Sequence, residues 1–428
     1  MLLSQKNPIV KMELIKVVIY ISIYIGLIAM SFFALSFFAG TKREKILYED
    51  SELPMVSVMI PAFNEEASVS STLNSILNVD YPKDRFEVIF VDDGSSDNTL
   101  KIAKQFEARG VRIFHKKNDP IGRKGSAMNF ALTKVRGEIV VSMDADTFVD
   151  LHALKKMVRY FKNPEVMCVS PGITIYKPRS LLQRIQYMEY LMGLFLRKAF
   201  ASINAIHITP GAFSAYRKEF FDKYGEYELG NLTEDLEVAL RIQYNHFIIE
   251  NEPSAVVYTV APIKFYDLLV QRRRWYAGLM KNTWKYRKIF FNKEYGDLGM
   301  FVFPIAWISI FFSVLITGYF FFKTLFEVQD EFQFLKSVNF DIGNVFNINY
   351  YFIERWMFLI FSNPIIIFIF FFVFIIGAYL VYASKKIGKI EGWQISLPLF
   401  FVFFAILFGI WWTISIVYVI FNRDVVWR

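Results

Sequence analysis

The chain has 428 residues, of which 54% are hydrophobic and 18% aromatic, with 47 Phe and a net charge of +8. That length leaves room for two or three domains, and that apolarity excludes an ordinary water-soluble protein. A single cysteine, Cys168, excludes an intramolecular disulfide and a cysteine-based metal cluster, and the dispersed histidines lack zinc-ligand spacing.

Four stretches carry no charged residue for long enough to span a bilayer: 17–40, 299–322, 356–382 and 396–421. The first is too long for a signal-peptide core and lacks a small-residue cleavage site, so a retained anchor is expected. Lys42, Arg43 and Lys45 follow it; Lys281, Lys285, Arg287, Lys288 and Lys293 precede the second; Lys385, Lys386 and Lys389 separate the last two. If every span crosses, these clusters share one side, which the positive-inside rule makes cytoplasmic. The positive charge therefore reads as membrane topology, with no nucleic-acid partner. The expectation is a multi-pass protein of the cell membrane whose large domain is cytoplasmic.

Residues 1–53 read as a tail, a membrane helix and a linker. An α/β domain is expected over 54–262, an interface segment over 263–298 and a membrane region over 299–428. Within the domain, strands at 55–60, 86–91, 111–115 and 139–141 alternate with helices at 68–77, 99–109 and 126–135. Such alternation predicts a mainly parallel sheet with right-handed crossovers. Ligands of open α/β sheets bind beyond the carboxyl ends of the strands. Three of those ends carry acids: Glu65 and Glu66, then Asp92 and Asp93, then Asp144 and Asp146.

Asp-Ala-Asp alone reads equally well as a cation site and as a turn that caps a helix beginning near Leu151. Three acidic strand ends on one crevice, however, repel one another. A cation-linked, phosphate-bearing ligand accounts for them, and hard oxygen ligands suit Mg²⁺ or Mn²⁺. No phosphate-binding Gly-x-x-x-x-Gly-Lys loop is present, nor a Gly-x-Gly-x-x-Gly turn after the first strand, which argues against an ATPase and a dehydrogenase.

The stretch 181–206 has helical apolar periodicity interrupted by Gln183, Arg184, Gln186, Glu189, Arg197 and Lys198. It predicts an amphipathic helix, packed on the sheet or lying at the membrane surface, and its many large apolar residues favour the surface. Thr233-Glu234-Asp235 reads as a helix start with Thr233 as N-cap; the functional alternative makes Asp235 a general base at the helix N-terminus. In Gln271-Arg272-Arg273-Arg274-Trp275, helical spacing puts Gln271, Arg274 and Trp275 on one face. Paired Arg donors, an amide and a flat ring suit a diphosphate, while Arg272 and Arg273 are expected to meet lipid headgroups. Trp307, Trp411 and Trp412 lie within apolar spans, and Trp411 or Trp412 is expected to offer a flat face to a passing sugar chain.

The order Asp92-Asp93, Asp144-Ala145-Asp146, Thr233-Glu234-Asp235, Gln271-Arg272-Arg273-Arg274-Trp275 resembles the membrane-embedded family-2 glycosyltransferases. These include hyaluronan, chitin, cellulose and poly-N-acetylglucosamine synthases and ceramide glucosyltransferases. The resemblance covers roughly 54–300, and the placement of spans extends it. It implies a Rossmann-like α/β domain of the GT-A type, about four membrane helices and amphipathic interface helices. Pro61, Ala62, Phe63, Glu65 and Asp92 would bind the uridine edge. Lys124, in a segment similar to the family's Lys-x-x-Ala-Leu-Asn with Met128 in place of Leu, would face the nucleotide with Asp144.

The resemblance further makes Asp146 the metal ligand and Asp235 the catalytic base. Gln271, Arg274 and Trp275 would hold the diphosphate, while Trp275, Gly211 and Glu234 would face the acceptor. Thr209-Pro210-Gly211-Ala212 occupies the place of the acceptor loop with different residues. Trp427-Arg428 resembles a gating-loop tryptophan only if the C-terminus is cytoplasmic. The implied partners are a UDP-sugar donor, the bilayer, and a growing β-linked polysaccharide or, alternatively, a lipid acceptor. A third alternative, a transporter or receptor with a nucleotide-binding domain, is disfavoured because the spans contain no Asp, Glu, Lys, Arg or His.

Overall fold

The structure is a computed structural model and describes residues 8–39, 47–337, 350–362, 364–387 and 393–421. Trp427 and Arg428 lie outside the described residues.

The first membrane-type helix, α1 (Pro8–Ala39), leads through a short linker into the α/β domain. There β1 (Val56–Ala62), α2 (Val69–Leu77), β2 (Phe86–Asp92), α3 (Thr99–Lys104), β3 (Val111–His115), α4 (Arg123–Leu132) and β4 (Ile139–Met143) follow in alternation. The edge strand β5 (Phe148–Val149), α5 (Ala153–Val158), β6 (Val166–Ile175) and α6 (Leu181–Ser202) come next. The domain closes with β7 (Phe213–Arg217), α7 (Lys218–Tyr224), α8 (Glu234–Tyr244), β8 (Ile248–Thr259) and α9 (Phe265–Lys285). The expected helix at 99–109 is two pieces: α3 ends at Lys104, and a separate 3-10 turn, Glu107–Arg109, closes on Gly110 at φ +87°.

These strands form one eight-stranded sheet in the order β3-β2-β1-β4-β7-β6-β8-β5. The first four are parallel, as the alternation predicts; β7 then runs antiparallel to both β4 and β6, so the sheet is mixed. Period-two geometry divides the strand residues between two cores. Val56, Val58 and Ile60 pack with Leu73 and Ile76 of α2, whereas Met59, Ile89 and Val140 pack with Ala127 and Met128 of α4. Each such fully buried side chain contributes about 1.5–3 kcal/mol. With both faces covered, the open end of the parallel half remains for a ligand, and Ala62, Asp92 and Asp144 all stand there.

Helix α6 starts where Ser180 and Gln183 make a reciprocal capping box: the Gln183 N–H donates to the Ser180 hydroxyl and the Ser180 N–H to the Gln183 amide oxygen. Of the two positions expected for this segment, it takes the packed one, against the domain. Its amide side chains Gln183 and Gln186 donate to Ala261 and Pro262 of the domain. Its apolar face, with Leu191 and Phe195, packs on Phe33 and Phe37 of α1.

The C-terminal region comprises α10 (Phe303–Ser337), α11 (Tyr350–Ser362), α12 (Pro364–Ile387) and α13 (Trp393–Ile420). Among the described residues three helical stretches are long and apolar enough to cross a membrane: Ile15–Ala39, Leu298–Leu325 and Trp393–Ile420. The span expected at 356–382 falls on α11 and α12, and residue 363 between them lies outside the described residues. Phe370–Leu380 survives as a shorter apolar stretch.

Candidate active site

Parallel pairing aligns Ala62 with Asp92, and Val58 with Val141, so the ends of β1, β2 and β4 face one crevice. Asp92 is fully buried; its Oδ2 lies 2.6 Å from His115 Nδ1 at the end of β3 and accepts from the Ser95 N–H. Gly94 takes φ +75° in the turn after it, where a Cβ would stand 2.8 Å from the Asn118 nitrogen. Pro61 is half-buried and Phe63 is exposed at the mouth of the crevice.

The sharpest concentration of charge lies beyond β4. Lys124, on α4, places its Nζ 2.6 Å from Asp144 Oδ1 and 3.1 Å from Glu234 Oε1. Burial works against its charge, but Asp144, Glu234 and Asp235 outweigh burial and hold the ammonium protonated. Asp146 forms no ion pair among the described residues, and Lys124 only partly offsets its surroundings. Burial, then Asp144 and Glu65, push its carboxyl up to about 7. Glu65 is raised too, chiefly by burial, with Asp144 adding to it.

Gly211, between α6 and β7, donates its N–H to Asp235 Oδ2 at 2.8 Å, and the Leu236 N–H donates to Oδ1 at 2.8 Å. Thr209 donates its hydroxyl to the Asp235 carbonyl. The Asp235 side chain is partly exposed, and burial followed by Glu234 raises its pKa to about 6 against the pull of Lys124 and the two N–H donors. Thr233 does stand at the N-cap of α8 but makes no side-chain cap bond; its hydroxyl accepts from Asn282 instead.

The basic motif falls on α9, as its spacing predicts. Arg272, however, does not meet lipid headgroups. It is wholly buried, donates to Glu189 of α6 at 2.7 Å, and its guanidinium lies 4.2 Å from the Trp275 ring and 5.6 Å from the Trp411 ring. A buried guanidinium requires a carboxylate and aromatic faces, and all are supplied here. Arg273, half-buried, covers the Tyr418 ring at 4.3 Å. Gln271, Arg274 and Trp275 are half-buried on the same helix. Tyr190 of α6 joins this motif to the acids, for its hydroxyl, raised mainly by burial, also senses Arg272, Glu189 and Asp146.

Trp411 and Trp412 offer no free face to a sugar. Both are 1% exposed, and the Trp412 ring stacks on Tyr276 at 4.4 Å and 6°. Close packing of α13 on α9 uses the surfaces that the sequence leaves available.

The structure thus brings Glu65, Lys124, Asp144, Asp146, Gly211, Glu234 and Asp235 together. Glu189, Tyr190 and Arg272 join them without having been singled out as site residues. The interruption of an apolar helix by Glu189 was the one signal for that pair. Among the described residues no three His, Cys, Asp or Glu side chains are arranged to hold a metal by themselves. The donor set still fits a cation: burial and the neighbouring Asp144 disfavour the ionised form of Asp146 despite Lys124, and Mg²⁺-type sites take one or two carboxylates plus ligand phosphates.

Comparison with known proteins bears on this arrangement. Residues 57–225 match the family described as Glycosyl transferase family 2. A poly-beta-1,6-N-acetyl-D-glucosamine synthase of Staphylococcus epidermidis is 30% identical over 243 residues, 55% of this chain and 58% of that protein. The synthase of the same name from Staphylococcus aureus (strain COL) is 29% identical over 230 residues, 53% of this chain and 55% of that protein. The chain therefore spans somewhat more than half the length of the curated relatives it matches. Among solved structures, a mannosyltransferase from Pyrobaculum calidifontis in complex with GDP-Man and Mn²⁺ superposes with a TM-score of 0.56 at 18% identity, over 95% of this chain and 100% of that one. That likeness establishes a shared fold that extends past the α/β domain into the apolar helices. The chain carries a family-2 glycosyltransferase domain of the α/β, GT-A-like kind, and it is homologous to the poly-β-1,6-N-acetylglucosamine synthases.

Proposed function

We propose that this protein transfers N-acetylglucosamine from its UDP-linked donor to a growing β-linked polysaccharide, with inversion at the anomeric carbon. The observation that carries the proposal is the Asp235 carboxylate, fixed by the Gly211 and Leu236 N–H groups beside the Lys124–Asp144 pair. The donor sugar follows the name of the synthases to which the chain is similar.

In the reaction, Asp92 and the end of β1 hold the uridine edge. Asp235 accepts the proton of an acceptor hydroxyl, and the oxygen attacks the anomeric carbon from the face opposite the diphosphate. A new C–O bond forms as the bond from that carbon to the diphosphate oxygen breaks, and UDP leaves with the electron pair. Lys124 and Arg274 oppose the charge that develops on the leaving diphosphate. Gln271 adds an amide to that grip, and Trp275, with Gly211 and Glu234, forms the acceptor floor. Asp146, assisted by Asp144, would hold Mg²⁺ or Mn²⁺, which supplies further positive charge to the diphosphate. Near-neutral affinity of Asp235 for protons suits a base working close to pH 7.

The basic clusters beside the apolar helices support, by the positive-inside rule and with every span crossing, a domain on the cytoplasmic side of the cell membrane. Processive elongation with export follows if the acceptor remains bound between turns. Purified protein incubated with radiolabelled UDP-N-acetylglucosamine and Mn²⁺ is expected to release UDP and make a labelled polymer. A single labelled glycolipid of fixed mass would replace the polysaccharide reading with the lipid-acceptor one. Absence of transfer from any UDP-sugar would remove both.

A further inference from the structure

The C-terminal half of α9 reaches the start of α8 through groups that the diphosphate motif does not use. Asn282, 2% exposed, donates from Nδ2 to the Thr233 carbonyl at 3.2 Å, to the Thr233 hydroxyl at 3.0 Å and to Asn231 Oδ1 at 3.1 Å. Its Oδ1 accepts from Asn231 at 2.8 Å. One turn earlier, Gly278 lies so close that an added Cβ would clash with the Thr233 side chain. One turn later, Lys285 Nζ pairs with Glu237 and Glu228, each at 3.0 Å, and the Tyr286 hydroxyl donates to Glu237 at 2.6 Å. Glu237 itself is buried at the end of the first turn of α8. Thr233 and Glu237 flank Asp235 on both sides in sequence.

We infer that Asn282 is a positioning residue for Asp235, fixing the first turn of α8 so that the carboxylate stays on the acceptor side of the crevice. The inference rests on the base role proposed for Asp235. Thr233 cannot perform this task alone, because its hydroxyl makes no cap bond within α8 and is bound across to α9. The same helix carries Gln271, Arg274 and Trp275 about two to three turns upstream, so one rigid rod of about 1.5 Å per residue sets base and diphosphate grip at a constant distance. A shift of ~1 Å in a reacting group costs up to about 10²-fold in rate, which makes this coupling worth a dedicated buried amide.

The test compares Asn282→Asp and Asn282→Leu in the full-length detergent-purified protein, with Asp235→Asn alongside. The Asp variant keeps acceptance from Asn231 but loses donation to Thr233; the Leu variant loses both. UDP release from UDP-N-acetylglucosamine gives kcat and KM, and titration with UDP and Mn²⁺ gives Kd. Both Asn282 variants are expected to lower kcat about tenfold or more while UDP Kd stays within about twofold. Wild-type kcat in folded Asn282 variants, with Asp235→Asn inactive, overturns the positioning role and leaves the base role standing. An active Asp235→Asn overturns the base role first. Loss of UDP affinity in step with kcat makes Asn282 a general support of the domain and also overturns the inference. If neither variant folds, Asn231→Ala, which removes the partner of Asn282 in a partly exposed loop, is judged by the same kcat and Kd criteria.

Discussion

The N–H of Gly211 points at Oδ2 of Asp235 from 2.8 Å, tying the loop before β7 to the first turn of α8. A Cβ on Gly211 would stand 2.8 Å from Lys124 Nζ and 2.9 Å from Asp235 Oδ2, so only glycine leaves room for both. Gly211→Ala is therefore expected to push the base and the lysine apart. Turnover should fall by about 10²-fold, with UDP affinity reduced less than turnover. Equal activity of the Ala variant would show that neither distance matters to transfer.

Asp235→Asn preserves shape and one acceptor for the backbone donors. Thermal unfolding should report a change of about 1 kcal/mol or less. Turnover should nevertheless drop ~10²-fold or more, because the amide takes no proton from the acceptor. Near-normal turnover would return Asp235 to the status of a helix-start residue.

Asp146 carries a pH signature with a defined sign. Its folded pKa is raised from 3.8 to about 7, so folding favours the protonated form. Without a cation, its contribution to stability is best below pH 4, declines as pH rises through 4 to 7, and is lowest above 7. Mn²⁺ should reverse this, raising Tm more at pH 8 than at pH 5.5. Asp146→Asn should abolish that Mn²⁺-dependent rise and weaken UDP binding only when metal is present. A variant whose Tm still climbs with Mn²⁺ at pH 8 would place the cation elsewhere.

Arg272 and Glu189 form the joint of α6 and α9, the arginine side chain being 1% exposed. Glu189→Leu leaves the guanidinium buried and uncompensated, which should destabilise the fold by about 3–5 kcal/mol. Joining it to Arg272→Met removes both charges and should recover most of that loss in denaturation measurements. If the double variant is no more stable than the single one, the pair is not coupled.

The sequence by itself determined the elements whose side chains need only their neighbours in the chain. Short apolar runs at 55–60, 86–91 and 139–141 fall on β1, β2 and β4, and the helical periodicity over 181–206 falls on α6, which ends at Ser202. The clustering of acids at strand ends also followed, because alternation of parallel strands sends every carboxyl end the same way. Beyond β4 the sequence was far less informative. The strands β6 and β8 are buried and irregular, with a bulge at Pro171/Gly172, and no local pattern announces that β7 turns the sheet antiparallel. Partners distant in the chain were decided only in three dimensions. Lys124 chooses Asp144 and Glu234, Arg272 chooses Glu189 and two tryptophans, and Asn282 chooses Thr233. Headgroup exposure and a sugar-facing role were reasonable for Arg272 and Trp411 while their partners were unknown. Burial settles such residues by charge compensation and ring packing, and both depend on what the tertiary fold brings within about 4–6 Å.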